Sequence, residues 1–223
     1  MHYQFQFDAV LDSWPLLLRG TLNTIELSLG AMVIGLLIAI FCSWGKSHGG
    51  RLLRLAIDAY IEVIRNTPFL VQLFFFFFAL PSLGVRMTAT TAALVTMFVN
   101  LGAFATEILR AGIEAVPKGQ VEAGLALNLK RYQVFLHVVL RPALKTIFPA
   151  LSSQFILLML TSSIVSAVSA DDLASVAANI QSETFRSFEI YITVTIIYFA
   201  LSLMFMGLFR LIWRNCLYYP EGR

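Results

Sequence analysis

A run of about 20 apolar residues can cross hydrocarbon only by closing its own peptide groups into a helix, and this chain carries five such runs, at residues 22–44, 57–80, 88–109, 148–170 and 190–212. A chain of 223 residues that is 58% hydrophobic and only 13% charged has more apolar surface than a water-soluble globule of that length can hide. The expectation is an all-α integral membrane protein with about five transmembrane helices, forming a single domain over residues 1–223.

Lysine and arginine placement orients the spans, because cytoplasmic loops accumulate both. Putting the amino terminus outside leaves twelve of the sixteen basic residues on the inner side: Lys46, Arg51, Arg54, Arg110, Lys118, Lys130, Arg131, Arg141, Lys145, Arg210, Arg214 and Arg223. Arg19, Arg86 and Arg186 then fall outside, and Arg65 within the second span. The amino end is thus expected to be periplasmic and the carboxyl end cytoplasmic. Residues 1–19 lack the basic start of a cleavable signal and read as an interfacial lead-in with Trp14 at headgroup depth. Residues 171–188 read as an outer loop.

Several chemistries are excluded. Gly45-Lys46-Ser47 is no phosphate-binding loop, since the first glycine of that pattern would fall at Ile40 and no strand precedes it, so the chain is not expected to bind ATP itself. His2, His48 and His137 are scattered, without cysteine or carboxylate at ligand spacing, which argues against a metal site. Cys42 and Cys216 fall on the reducing, cytoplasmic side and are expected to remain unpaired. A net charge of only +3 favours neither DNA nor RNA.

Polar residues inside apolar spans are costly and turn toward the bundle interior. In the second span Pro68 removes a backbone hydrogen bond, Glu62 and Arg65 stand three apart and can pair with each other or with the 117–142 loop, and Phe74 to Phe78 surround the helix. Asn100 and Glu107 lie in the third span, Glu107 within reach of Arg110 or Arg65. Ser152, Ser153, Gln154, Thr161, Ser162, Ser163 and Ser166 recur along the fourth, either as interhelical hydrogen bonds or as the wall of a polar path. Asn100, Glu107, Gln154, Thr161 and Ser163 are the candidate substrate-pathway residues.

Residues 117–142, PKGQVEAGLALNLKRYQVFLHVVLRP, form a basic, helix-prone segment too long for a plain connector. Pro117 suits a helix start, and Val121, Leu125 and Leu127 give apolar points opposite the small residues Ala123, Gly124 and Ala126. Asn128 tolerates a left-handed, helix-ending conformation. A second helix follows and is expected to be interrupted at Arg141-Pro142. A helix–turn–helix with a small-residue face suits close approach by another protein's backbone, with Glu122 available to a partner's cation; an amphipathic pair lying on lipid headgroups would share the pattern.

This segment resembles the coupling loop of bacterial ABC importer permeases, whose signature is Glu-Ala-Ala, three residues, Gly, nine residues, Ile, one residue, Leu-Pro. Glu122, Ala123 and Gly124 stand at Glu-Ala-Ala, Asn128 at the Gly, Val138 at the Ile and Leu140 at the Leu, with Pro142 displaced by one. RGTLNTIELSLGAM at 19–32, YIEVIRNTPFLVQLFFF at 60–76, NLGAFATEILRAGIEAVPKGQVEAG at 100–124 and ETFRSFEIY at 183–191 are similar to segments of the polar amino acid branch, which includes histidine, glutamine, arginine and opine-type importers.

The resemblance implies a type I ABC importer permease fold in the bacterial inner membrane and transport of a polar amino acid or derivative by alternating access. It also implies a non-catalytic subunit whose coupling residues Glu122, Ala123, Gly124, Leu125 and Asn128 dock a cytoplasmic ATPase dimer, the ATPase using ATP-Mg. Further partners are membrane lipid, a periplasmic amino-acid-binding protein and a second permease subunit, either a homologue or a second copy. Many members carry a Lys-Asp pair where this chain has Leu160-Thr161, which favours the homologous heterodimer. The rival is a secondary transporter or channel driven by an ion gradient; such proteins show repeated halves, and no repeat is visible here.

Overall fold

In a computed structural model, which describes residues 5–217, the chain is a bundle of long helices. His2 and Arg223 lie outside the described residues, as does the Cys216 side chain; Cys42 is a free thiol. A short helix α1 (Asp8–Asp12) leads into α2 (Trp14–His48), 35 residues long, so the expected lead-in is largely the first turns of the first spanning helix. Pro15 at its start costs nothing, because a first-turn residue has no intrahelical acceptor for its missing N–H.

The second span is the main departure from expectation. It is not one helix over 57–80 but two, α3 (Arg51–Arg65) and a segment beginning with α4 (Phe69–Phe74), bent by 111°. Asn66-Thr67-Pro68 breaks the chain there because proline disfavours helical geometry in the residue before it. A π-helical stretch, Phe75–Ala79, then carries the phenylalanines to α5 (Leu80–Ser82). Glu62 and Arg65 do not pair: the Asn66 amide donates to Glu62 at 2.9 Å, and Arg65 reaches Glu107.

Helix α6 (Ala89–Glu114) starts on a Thr88 cap, whose hydroxyl accepts from the Thr91 N–H at 3.1 Å. The next elements are α7 (Lys118–Ala126), α8 (Arg131–Gln133), a π-helical stretch Val134–Val139 and α9 (Leu140–Thr161). Arg141-Pro142 therefore does not interrupt the second helix of the 117–142 segment. Pro142 falls in the first turn of α9, and the π-helical turns before it absorb the register change, so one helical column runs into the fourth span. That span ends as a 3₁₀ segment, Ser162–Val168. The expected outer loop contains a helix, α10 (Leu173–Thr184), capped by the buried Asp172 carboxylate accepting from the Ser175 N–H at 2.8 Å. Helix α11 (Ser187–Ile212) completes the bundle and continues as a π-helical stretch, Trp213–Leu217.

Packing follows the small residues, as it must where lipid offers apolar side chains as much as protein does. Helices α2 and α6 lie side by side along most of their length. A Cβ at Gly35 would stand 3.0 Å from Leu101, and one at Gly102 would stand 2.7 Å from the Tyr60 hydroxyl and 2.8 Å from Ile38. The central core joins Leu27 and Ala31 of α2, Leu73 of α4, Met97 and Leu101 of α6, and Leu158 of α9.

Candidate functional site

The 117–142 segment is a helical hairpin projecting from the ends of α6 and α9. Asn128 sits at φ 58°, in the left-handed region expected of it. The Leu129 N–H then reaches the Gly124 carbonyl at 3.2 Å and the Asn128 N–H the Leu125 carbonyl at 2.9 Å, the paired closure of a Schellman turn. The second helix begins where the Gln133 side chain accepts from the Lys130 N–H at 2.9 Å.

One side of α7 holds the hairpin to the bundle, Val121 packing on Val116, Val139 and Ala143. Gly124 is buried on this side too: a Cβ there would lie 3.2 Å from Val134 and 3.5 Å from Val138. The small-residue face is thus divided, Gly124 letting the hairpin close on itself while Ala123 and Ala126 stay exposed. Glu122 is exposed and makes no ion pair with any described residue. Leu125 is 45% and Leu127 76% exposed, with Tyr132, Phe135 and Leu136 also uncovered and Lys118, Lys130 and Arg131 around them. An apolar patch with a basic rim and one free carboxylate is what a docking surface needs.

At the root of the hairpin lies a charge cluster. Glu107 is held in a two-pronged contact by Arg110, with Nη2 at 2.8 Å and Nε at 3.1 Å, and lies within 3.4 Å of Lys46 and 3.8 Å of Arg65. Lys46 also binds Asp58 at 2.7 Å, and Arg110 binds Glu114 at 2.7 Å. Both partners expected for Glu107 are present, joined by Lys46. The cluster ties α2, α3 and α6 together just where α6 hands over to the hairpin.

The other candidate residues fall elsewhere. Asn100 is buried and donates to Gln72 at 3.1 Å. The Gln72 amide in turn donates to the carbonyls of Ile64 at 2.8 Å and Thr67 at 3.0 Å, satisfying backbone groups freed by the break between α3 and α4. Gln72 was absent from the sequence-based set, although an amide in a phenylalanine-rich run is itself a signal. The 3₁₀ segment with Ser163 packs against both α4 and α6. The hydroxyls of Thr161 and Ser163 donate to their own helix, to Leu157 and Leu160 carbonyls at 2.8 and 2.9 Å, while half-buried Gln154 makes no hydrogen bond with another described residue. Asn100 and Gln72 thus form a polar pair between α4 and α6, the two helices on which the Ser163 segment also packs, apart from the Glu107 cluster about two turns along α6.

The family described as "Binding-protein-dependent transport system inner membrane component" matches residues 15–215. The chain belongs to this family. Among its relatives, the glutamine transport system permease protein GlnP of Escherichia coli (strain K12) is 33% identical over 209 residues, covering 93% of this chain and 95% of that one. The L-cystine transport system permease protein TcyB of Bacillus subtilis (strain 168) is 34% identical over 194 residues, 86% of this chain and 83% of that one. The crystal structure of an amino acid ABC transporter with histidines contains a chain matched with a TM-score of 0.89 at 37% identity, over 96% of this chain and all of that one. The inward-facing MetNI methionine ABC transporter, at 20% identity and a TM-score of 0.75, shares the fold over 91% of this chain and 97% of that one. As a member of the family, this protein is a multi-pass inner-membrane permease subunit of an ABC importer with a type I importer permease fold, and ATP hydrolysis falls to a separate ATPase.

Proposed function

We propose that this permease moves a polar amino acid or derivative from periplasm to cytoplasm, with its amino end outside, and that α7 is the contact through which an ATPase dimer drives it. The observation that carries the proposal is the hairpin: it projects from the bundle with Glu122 unpaired and Leu125 and Leu127 uncovered, at the junction of α6 and α9. Relatives named for glutamine, cystine and amino acid transport support the substrate class. Closure of the ATPases on ATP would carry Glu122, Ala123, Leu125 and the turn at Asn128 with them, Gly124 keeping the hairpin closed. The α6–α9 pair would follow, a population shift set by differential affinity for the two states.

A periplasmic binding protein delivers the substrate in this scheme, and a second permease subunit, a homologue in preference to a second copy, completes the path. Asn100, Gln72, Gln154, Thr161 and Ser163 offer neutral hydrogen bonds to the passing solute, and Glu107 acts as the charged anchor of the hairpin root. Ala123→Trp should abolish co-purification of the ATPase subunits while membrane insertion is unchanged; full recovery of the ATPases would reject the docking surface. Uptake at full rate with this chain as the sole permease subunit would reject the heterodimer.

A further inference from the structure

Between α2, the start of α6 and the turn before α10 lies an open surface pocket of about 370 Å³, whose lining includes the exposed charged residues Arg19, Glu26 and Asp171 together with Asn23, Thr90 and Leu94. Arg19, Asn23 and Glu26 are spaced four and three apart on one face of α2. Arg19, Glu26 and Asp171 make no ion pair or hydrogen bond with any described residue, so both signs of charge stand free in one concave place. Along α2, Glu26 is about 30 Å from Lys46, one hydrocarbon thickness, which puts the cavity at the membrane boundary opposite the hairpin.

Its walls are held. Gly20, beside Arg19, lets α2 approach α10 so closely that a Cβ would lie 3.0 Å from the Leu173 Cα. The Thr24 hydroxyl accepts from the Leu173 N–H at 3.1 Å, and the Asp172 cap fixes the turn that carries Asp171. The backbone positions from which Arg19, Glu26 and Asp171 project are therefore fixed relative to one another, while the three exposed side chains can still adjust to what they meet.

We propose that this cavity is an entry subsite for the head group of a free amino acid, Arg19 taking the α-carboxylate and Glu26 with Asp171 taking the α-ammonium. The inference rests on the amino acid permease reading above. Two carboxylates against one guanidinium leave the site with net negative charge when a zwitterion is bound, so it admits neutral and cationic side chains and disfavours acidic ones.

The test is saturation-transfer NMR on the permease in complex with its ATPase subunits in nanodiscs, using three probes: L-glutamine, 4-aminobutanamide, which lacks the α-carboxylate, and glutaramate, which lacks the α-ammonium. Arg19→Gln should weaken L-glutamine and glutaramate about tenfold and spare 4-aminobutanamide. Glu26→Gln should weaken L-glutamine and 4-aminobutanamide and spare glutaramate. Arg19→Lys should restore part of the loss. No transfer from the unsubstituted protein to any probe, unchanged binding in both variants, or equal weakening of all three probes overturns the subsite. So does a fall in binding-protein affinity without the crossed pattern, because the charges would then dock that protein. If the complex drives uptake of L-glutamine or another polar amino acid but the crossed pattern is missing, the subsite alone falls; if it drives uptake of no amino acid, the proposed substrate class falls and the subsite with it.

Discussion

Gly112 is the point at which the hairpin's mechanical root can be tested. A Cβ built there would stand 1.9 Å from the Cγ2 of Ile147, about 1.6 Å inside the closest ordinary carbon–carbon separation of roughly 3.5 Å. Ile147 is 4% exposed, and its branch methyl is attached directly to Cβ, so it has no flexible arm to swing away. Gly112→Ala must therefore part α6 from α9 or force a strained rotamer, at about 1–3 kcal/mol. For a chain of this size that is a fall of several degrees in Tm, at roughly 2–4 °C per kcal/mol. Ile147→Ala alone costs about 2–5 kcal/mol through the cavity it leaves. The two together should cost less than their sum by most of the Gly112→Ala penalty, because the methyl that clashes is gone. Ile147→Val keeps both carbons on Cβ and should give no such relief. Thermal unfolding of the purified protein in detergent, over the full double-mutant cycle, reads these values. Additive single effects, or equal relief from Ile147→Val, would falsify the close crossing and the argument that α9 is clamped to α6 beneath the hairpin.

Three further outcomes follow from local geometry. Gln72→Leu leaves buried Asn100 without its partner and also removes the donor to the carbonyls of part-buried Ile64 and exposed Thr67, so it should cost about 1–3 kcal/mol for the one buried group with a smaller addition from the other two, and more than Asn100→Leu, which frees one bond; equal costs in thermal unfolding would refute Gln72 as the hub. Asn128→Ala should destabilise the hairpin by about 1–2 kcal/mol and Asn128→Gly should not, read as faster hydrogen exchange at residues 118–133; equal exchange rates would refute the left-handed turn. Burial pushes the Asp172 carboxyl up to about 6, above the ordinary carboxylate value of about 3.9. The folded state then holds a proton that the unfolded state has lost, so this group's contribution is full below about pH 4 and disappears as pH rises through about 6. Asp172→Asn keeps a side-chain oxygen for the Ser175 cap and should flatten that part of the stability profile; an identical pH 4–6 slope in the variant would refute the assignment.

Much of the hairpin was legible because its determinants are local. Pro117 before the first helix and Asn128 after it act within a few residues of themselves, and both stand where the sequence places them. Gly124 was read as part of an outward small-residue face because hydropathy does not say which side of a short helix meets its own second arm; Val134 and Val138 decide that. The extra helix α10 was missed because residues 171–188 are read by polarity as a loop, whereas the Asp172 cap and burial of Leu173, Ala177 and Ile180 make a helix of them.

The sequence by itself determined that the chain is helical, lives in a membrane, carries four or five membrane-spanning segments and presents a basic helical segment at residues 117–142. Those properties depend on the length of apolar runs and on i to i+4 hydrogen bonding, both written along the chain. Only the tertiary structure decided that the second span folds through 111° at Pro68, that Glu107 gathers Lys46, Arg65 and Arg110, and that Gln72 and Asn100 meet. Each depends on which residues distant in sequence share a few ångströms of low-dielectric space, and partner choice of that kind is set by helix packing, through glycines such as Gly35, Gly102 and Gly112, with no periodicity to announce it.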